Sequence, residues 1–218
     1  MDDHALFREG LVLLLRTIAP EAEIVASAQL QAVLDRLQAG EAADLLFLDP
    51  YMPDGSGIGG IDAVKAVAPR LPVVVLSSDD RSQTIMETLE HGATGFVPKG
   101  ASAAALEAAM RMALRGEIFV PREAIGGGTF PESGAAAAPA RMPALTSRQQ
   151  DVLDCLLRGM SNKLICRELG LSEATSRQHT QAVFRALGVS SRAKVVVEAM
   201  RRGIGLRDRG PKRDAAED

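Results

Sequence analysis

LPVVVLS, residues 71–77, decides how this chain folds. Val73, Val74, Val75 and Leu76 follow one another without a polar break, so neither side of an extended backbone here can face water. A strand buried on both faces belongs in a parallel sheet covered by helices. DLLFLD (44–49) upstream and TGFVPK (94–99) downstream repeat the pattern, and EIVASA (23–28) predicts a further strand. Between and after them, LQAVLDRLQAG, GIDAVKAVAP, SQTIMETLEHG and SAAALEAAMRMALRG carry helical spacing, the last with Leu106, Met110, Ala113 and Leu114 on one face. This alternation predicts a doubly wound α/β domain over residues 1–116.

Beyond it the character changes twice. Residues 117–143 are rich in Gly, Ala and Pro without an apolar period, which predicts a linker flexible over most of its length. From 144 to 204 only short helical patterns occur. TSRQ (146–149) is a capping box, and Val152, Leu153, Leu156, Leu157 and Met160 form one apolar face behind it. Ser161 caps a second helix, GLS turns the chain, Ser172 caps a third helix running to Leu187, and Ser191 starts a fourth. Residues 205–218 are expected to be a disordered tail.

Composition bounds the function. The chain is 46% hydrophobic and 24% charged, and no run approaches the roughly 20 apolar residues of a membrane span. With no signal peptide pattern, a soluble, cytoplasmic protein without membrane contact is expected. Cys155 and Cys166 lack companion histidines at ligand spacing, so they read as thiols rather than a zinc site. Residues 1–120 hold 17 acids against 9 bases, and residues 144–203 hold 5 against 10, so the second unit is the one suited to a polyanion.

In an open parallel sheet, ligands sit where the carboxyl ends of the strands meet loops. Asp49, Ser77 and Lys99 end three of the strands and converge there, and Asp2 and Asp3 would join them if a strand ended in front of them. Carboxylates, a hydroxyl and an ammonium suit phosphoryl transfer to an aspartate beside a divalent cation. With DDH followed by LFREGL, LFLDPYMPDGSG, VVVLSSDD and HGATGFVPKG, residues 1–116 resemble the receiver domain of bacterial two-component response regulators. That resemblance implies a flavodoxin-like fold with its first strand missing. It makes Asp49 the phosphoacceptor, Asp2, Asp3 and Asp49 the Mg2+ ligands, Ser77 the hydroxyl switch, Phe96 the aromatic that follows it, and Lys99 the phosphate partner, with a histidine kinase as donor. It differs in having Gly100, where a proline usually follows the lysine. The absent strand would lie between 23–28 and 44–49, leaving two interior edges unpaired, and the native polypeptide is therefore expected to start several residues upstream.

The second and third helices, joined by GLS, make a helix-turn-helix pattern. Residues 145–196 are similar throughout to the four-helix DNA-binding domain of LuxR/NarL-type regulators, on LTSRQ, GMSNKLIC, LGLSEAT and ALGVSSRAKVV. The resemblance implies that Arg177, Gln178 and Gln181 read base edges and that Lys163, Thr175 and Arg185 contact phosphates of double-stranded DNA. Ser176 and Thr180 stand where aliphatics are usual and should loosen the reading helix, and Ala186 replaces a common phosphate-binding lysine. Val195, Val196, Ala199 and Met200 are candidates for pairing two copies as a homodimer. The expected function is a non-enzymatic, phosphorelay-controlled transcription regulator. The alternative is a phosphorylation-independent regulator whose degenerate receiver serves for docking or dimerisation.

Overall fold

A computed structural model of the chain describes residues 1–52, 57–121, 145–202 and 204. Most of the expected linker (122–143) and the tail (205–218) lie outside the described residues. Among the described residues, three parallel strands, β1 (Leu46–Leu48), β2 (Val73–Ser77) and β3 (Gly95–Pro98), form the sheet in that order. Val74 pairs with Phe47 on one side and Gly95 on the other.

Strand alternation divides the core in two. Phe47, Val74, Leu76 and Val97 face Leu15 of α1 (Ala5–Ile18) and Leu106, Ala109, Met110 and Ala113 of α5 (Ala103–Leu114). Leu48, Val73, Val75 and Phe96 face the opposite layer. That layer contains α2 (Leu30–Gln38), α3 (Gly59–Val67) and α4 (Ser82–Glu90), which supply Leu30, Ile61, Val64, Ile85 and Leu89. Leu114 departs from expectation: it is 51% exposed, and Ala109 completes the buried face of α5 instead.

The strand expected at 23–28 is not formed. Its segment is mostly exposed, and among the described residues a single backbone bond, from the Asp2 amide to the Ser27 carbonyl (3.2 Å), ties it to what stands beside it. Strand pairing needs a ladder, and Met1 and Asp2 offer only one rung. Met1 nevertheless occupies the inner position. Its nitrogen donates to the Phe47 carbonyl (2.7 Å), and its carbonyl accepts from the Asp49 amide (3.0 Å). Of the two edges expected to be unpaired in the interior, β1 is thus capped by Met1, and the other faces solvent.

The helical unit consists of α6 (Ser147–Leu157), α7 (Asn162–Leu169), α8 (Glu173–Leu187) and α9 (Arg192–Arg201). The capping box of Thr146 and Gln149 is present, and Ser172 and Ser191 cap α8 and α9 by accepting from Thr175 N and Lys194 N. Ser161 precedes α7 with extended backbone but makes no side-chain cap bond. Val152, Leu153, Leu156 and Leu157 are buried as expected, whereas Met160 is half-buried.

The first described residues of the expected linker are ordered against both units. Phe119 lies parallel to β3, its amide donating to the Thr94 carbonyl (3.2 Å) and its carbonyl accepting from the Phe96 amide (2.9 Å). Ile118 is buried and donates to the Gly159 carbonyl (3.1 Å). The free edge of β3 satisfies this backbone, which a search for apolar period does not reveal. Arg192 of α9 donates to the Met160 carbonyl, and Arg201 pairs with Glu90 at the end of α4. Val195, Val196, Ala199 and Met200 are not a free pairing face: all four are within 1% of complete burial in the core, with α9 packed against α6, α8 and α4.

Gly159 is held at φ +75°, and a Cβ there would come 1.9 Å from the Ile118 carbonyl oxygen. Gly116 has a similar φ of +71° but open space around it. We expect Gly116→Ala to cost about 1–2 kcal/mol for left-handed backbone alone. Gly159→Ala should cost distinctly more in urea unfolding; equal losses would mean that the close approach yields freely.

Candidate functional site

At the carboxyl ends of the strands the charged groups converge on one pocket. Asp49 ends β1 and is 2% exposed; Asp2 is fully buried; Asp3 is partly buried at the rim. Lys99 follows β3, and its amide donates to the Ser77 carbonyl (2.8 Å), so strand pairing sets its starting point. Its Nζ lies 2.6 Å from Asp49 Oδ2, 2.8 Å from Asp2 Oδ2 and 4.7 Å from the centre of the Phe7 ring. Burial alone would lower the Lys99 pKa, yet its pairing with the Asp2 and Asp49 carboxylates outweighs it and raises the value. The stability this charge lends is full below the ordinary lysine value and is lost only as pH climbs through the raised one. Gly100, in place of the usual proline, leaves Lys99 directed into the pocket.

The acidic rim is held by its own neighbours. Asp2 Oδ1 accepts from the His4 amide (2.9 Å), and Arg8 Nη1 donates to the Asp2 and Asp3 carbonyls (2.7 and 3.3 Å). Asp2 Oδ2 and Asp3 Oδ1 are buried without hydrogen bonds of normal geometry, each having instead a nitrogen alongside: Lys99 Nζ, and His4 Nδ1 at 2.9 Å. One ligand atom from each of Asp2, Asp3, His4 and Asp49 lies within 4.8 Å of the others. Three carboxylates with lone pairs to spare fit a hard divalent cation such as Mg2+. The imidazole of His4 was not anticipated from the sequence; its place directly after two acids was the available signal.

Ser77 is fully buried, and its Oγ accepts from the Asp79 amide (3.0 Å). Phe96, two residues before Pro98 at the end of the next strand, is also fully buried. Around them lies a set of polar bonds that sequence reasoning missed. The Tyr51 amide donates to Asp49 Oδ1 (2.9 Å), and the Tyr51 hydroxyl donates to Asp79 Oδ2 (3.2 Å). Asp79 also accepts from Thr84 Oγ1 (2.8 Å) and from the Arg81 guanidinium (2.6 and 2.8 Å). The guanidinium in particular holds the Asp79 carboxyl well below the usual carboxylate range, and Arg81 is raised in turn.

In the helical unit, Gly170 at φ +63° ends α7 and turns the chain into α8. Arg177, Gln178, Gln181 and Arg185 form an exposed stripe along α8, Lys163 is exposed on α7, and Thr175 is half-buried with Oγ1 2.9 Å from Ser172 Oγ. Among the described residues, no ion pair engages Lys163, Arg177 or Arg185, which leaves their charges available to a polyanion. On the opposite side, Ser176 does not loosen the packing, because its Oγ donates to Asn162 Oδ1 (2.7 Å) and fastens α8 to α7. Thr180 is different: its hydroxyl is buried without a partner among the described residues. Among the described residues, no helix is long and apolar enough to cross a membrane.

Comparison with known proteins assigns both units. Residues 1–111 match the response regulator receiver domain, and residues 143–199 match the bacterial regulatory proteins of the luxR family. The chain is 31% identical to the glycerol metabolism activator of Pseudomonas putida, over 91% of this chain and 92% of that protein. It is 32% identical to the probable transcriptional regulatory protein NarL of Mycobacterium tuberculosis, over 93% of each. Among solved structures, a LuxR family DNA-binding response regulator from Silicibacter pomeroyi aligns with a TM-score of 0.51 and 32% identity, covering 56% of this chain and 94% of that one. The RcsB response regulator of Salmonella typhimurium, at 22% identity, shares the fold with a TM-score of 0.52 over 89% of this chain and 94% of its own.

Two neighbouring positions on α8 should respond with opposite signs. Thr180→Val removes an unsatisfied buried hydroxyl and is expected to stabilise by about 1 kcal/mol. Ser176→Ala strands Asn162 and is expected to destabilise by about 1 kcal/mol. Urea midpoints at constant slope measure both.

Proposed function

This chain belongs to the LuxR/NarL-type response regulators, two-component transcription regulators that join a receiver to a helix-turn-helix DNA-binding domain, and from that premise we propose that a phosphoryl group on Asp49 controls its grip on promoter DNA. The observation that carries this reading is the Lys99 ammonium seated between the buried carboxylates of Asp49 and Asp2. An Asp49 oxygen attacks the phosphorus of a kinase phosphohistidine. The P–N bond breaks, its electrons stay with the imidazole, and the imidazole takes up a proton. Mg2+ held by Asp2, Asp3 and Asp49 would offset the crowding of negative charge. Lys99 then pairs with the new phosphoryl oxygens and Ser77 donates to them. Phe96 moves with Ser77, because two arrangements of a packed core are discrete rather than graded.

On the DNA side, Arg177, Gln178 and Gln181 reach base edges, and Lys163, Thr175 and Arg185 hold phosphates. One reading helix covers only a few base pairs, so two copies on a two-fold site are needed for specific binding. Pairing through Val195, Val196, Ala199 and Met200 requires α9 to leave its present packing.

Intact-mass measurement after incubation with acetyl phosphate and Mg2+ tests the first half. The chain should gain one phosphoryl group, and Asp49→Asn should gain none; a wild-type chain that gains none overturns the switch and leaves a receiver that only docks. For the second half, Arg177→Ala should weaken operator binding by about 1–3 kcal/mol and relax preference at one base position. An unchanged footprint would remove Arg177 from the reading set.

A further inference from the structure

The bonds around Asp79 link three parts of the receiver that no strand joins directly. Tyr51 belongs to the loop carrying Asp49, and its amide holds Asp49 Oδ1 while its hydroxyl holds Asp79 Oδ2. Ser77 ends β2, and its Oγ accepts from the Asp79 amide. Thr84 lies in the first turn of α4, is 4% exposed, and donates to the same Asp79 Oδ2. At the far end of that helix, Glu90 pairs with Arg201 of α9. An unbroken path of polar contacts and one rigid helix therefore runs from the candidate phosphoacceptor to the helical unit.

We propose that Asp79 is the positioning residue that couples the acidic pocket to α4, and through α4 to the seat of α9. The inference rests on the phosphoryl switch proposed above and specifies how its signal leaves the pocket. A rotation of Ser77 that carries Oγ toward Asp49 gives up the bond from the Asp79 amide. Asp79 is the shared acceptor of Tyr51 and Thr84, so it cannot move without displacing the first turn of α4. The Arg81 guanidinium donates to both Asp79 carboxylate oxygens and so helps to hold the carboxylate in place. Among the described residues, the partners of the Asp79 side chain are Tyr51, Arg81 and Thr84 rather than Asp49, which makes it a relay rather than a phosphate ligand.

Two isosteric variants each remove one link. Thr84→Val cuts the link to α4, and Tyr51→Phe cuts the link to the Asp49 loop. The full chain and both variants are treated with acetyl phosphate and Mg2+. Phosphoryl uptake is read by intact mass, and hydrogen exchange is read in the same samples over 82–90 and 192–201. Wild type should take up phosphate and exchange faster in both segments. Thr84→Val should take up the same phosphate with the exchange response reduced at least about threefold, the scale of one lost hydrogen-bond coupling. Tyr51→Phe, altered at an exposed ring, should lose the response similarly and stands in for Thr84→Val if that variant folds poorly. A full exchange response in both variants overturns the coupling while the phosphoryl switch stands. Wild-type phosphate uptake without any exchange response in 192–201 overturns it as well. Absent uptake in wild type overturns the switch itself and, with it, this inference.

Discussion

The receiver depends on one half-buried ammonium shared by two buried carboxylates. Asp2 and Asp49 are almost completely removed from water, and each would be costly there without a counter-charge. Lys99 Nζ lies within 2.8 Å of both, with the Phe7 ring beside it. The ammonium therefore fixes the relative positions of the chain start, the end of β1 and the end of β3. A pocket held by exchangeable charge can also be rearranged by charge, which apolar packing would not allow. The same contact that keeps the acids together is the one a phosphoryl group would compete for.

Much of this was legible in the sequence because the signals were local. Val73 to Leu76 could only be a strand buried on both sides, and Asp49, Ser77 and Lys99 followed as strand-end residues. Thr146 with Gln149, and Ser172, announced their helices by capping chemistry alone. The segment 23–28 has strand-like residues, but pairing depends on a neighbour that consists here of Met1 and Asp2, and propensity cannot report that. Ser176 looked like a packing fault until Asn162, fourteen residues away, supplied its acceptor. The Asp79 bonds likewise join residues separated by up to 28 positions, with roles that geometry assigns and composition does not.

The fourth helix of the DNA-binding unit shows how an apolar face is misread. Val195, Val196 and Val197 in succession cannot all lie on one side of a helix. Such a helix is enclosed from several directions, and here its enclosure includes α4 of the receiver. Meanwhile the polar stripe of α8 stays exposed. In this arrangement the receiver lies against α9 and leaves the candidate base-reading side chains open to solvent.

One buried apolar cluster runs from Leu48 and Phe96 through Ile118 to Val152, Val183 and Met200 without a polar break. Cooperative melting follows shared core more closely than it follows the boundaries of homologous segments. With the two units seated as they are, calorimetry would record a merged endotherm, and its splitting into two would report their separation without any DNA or label.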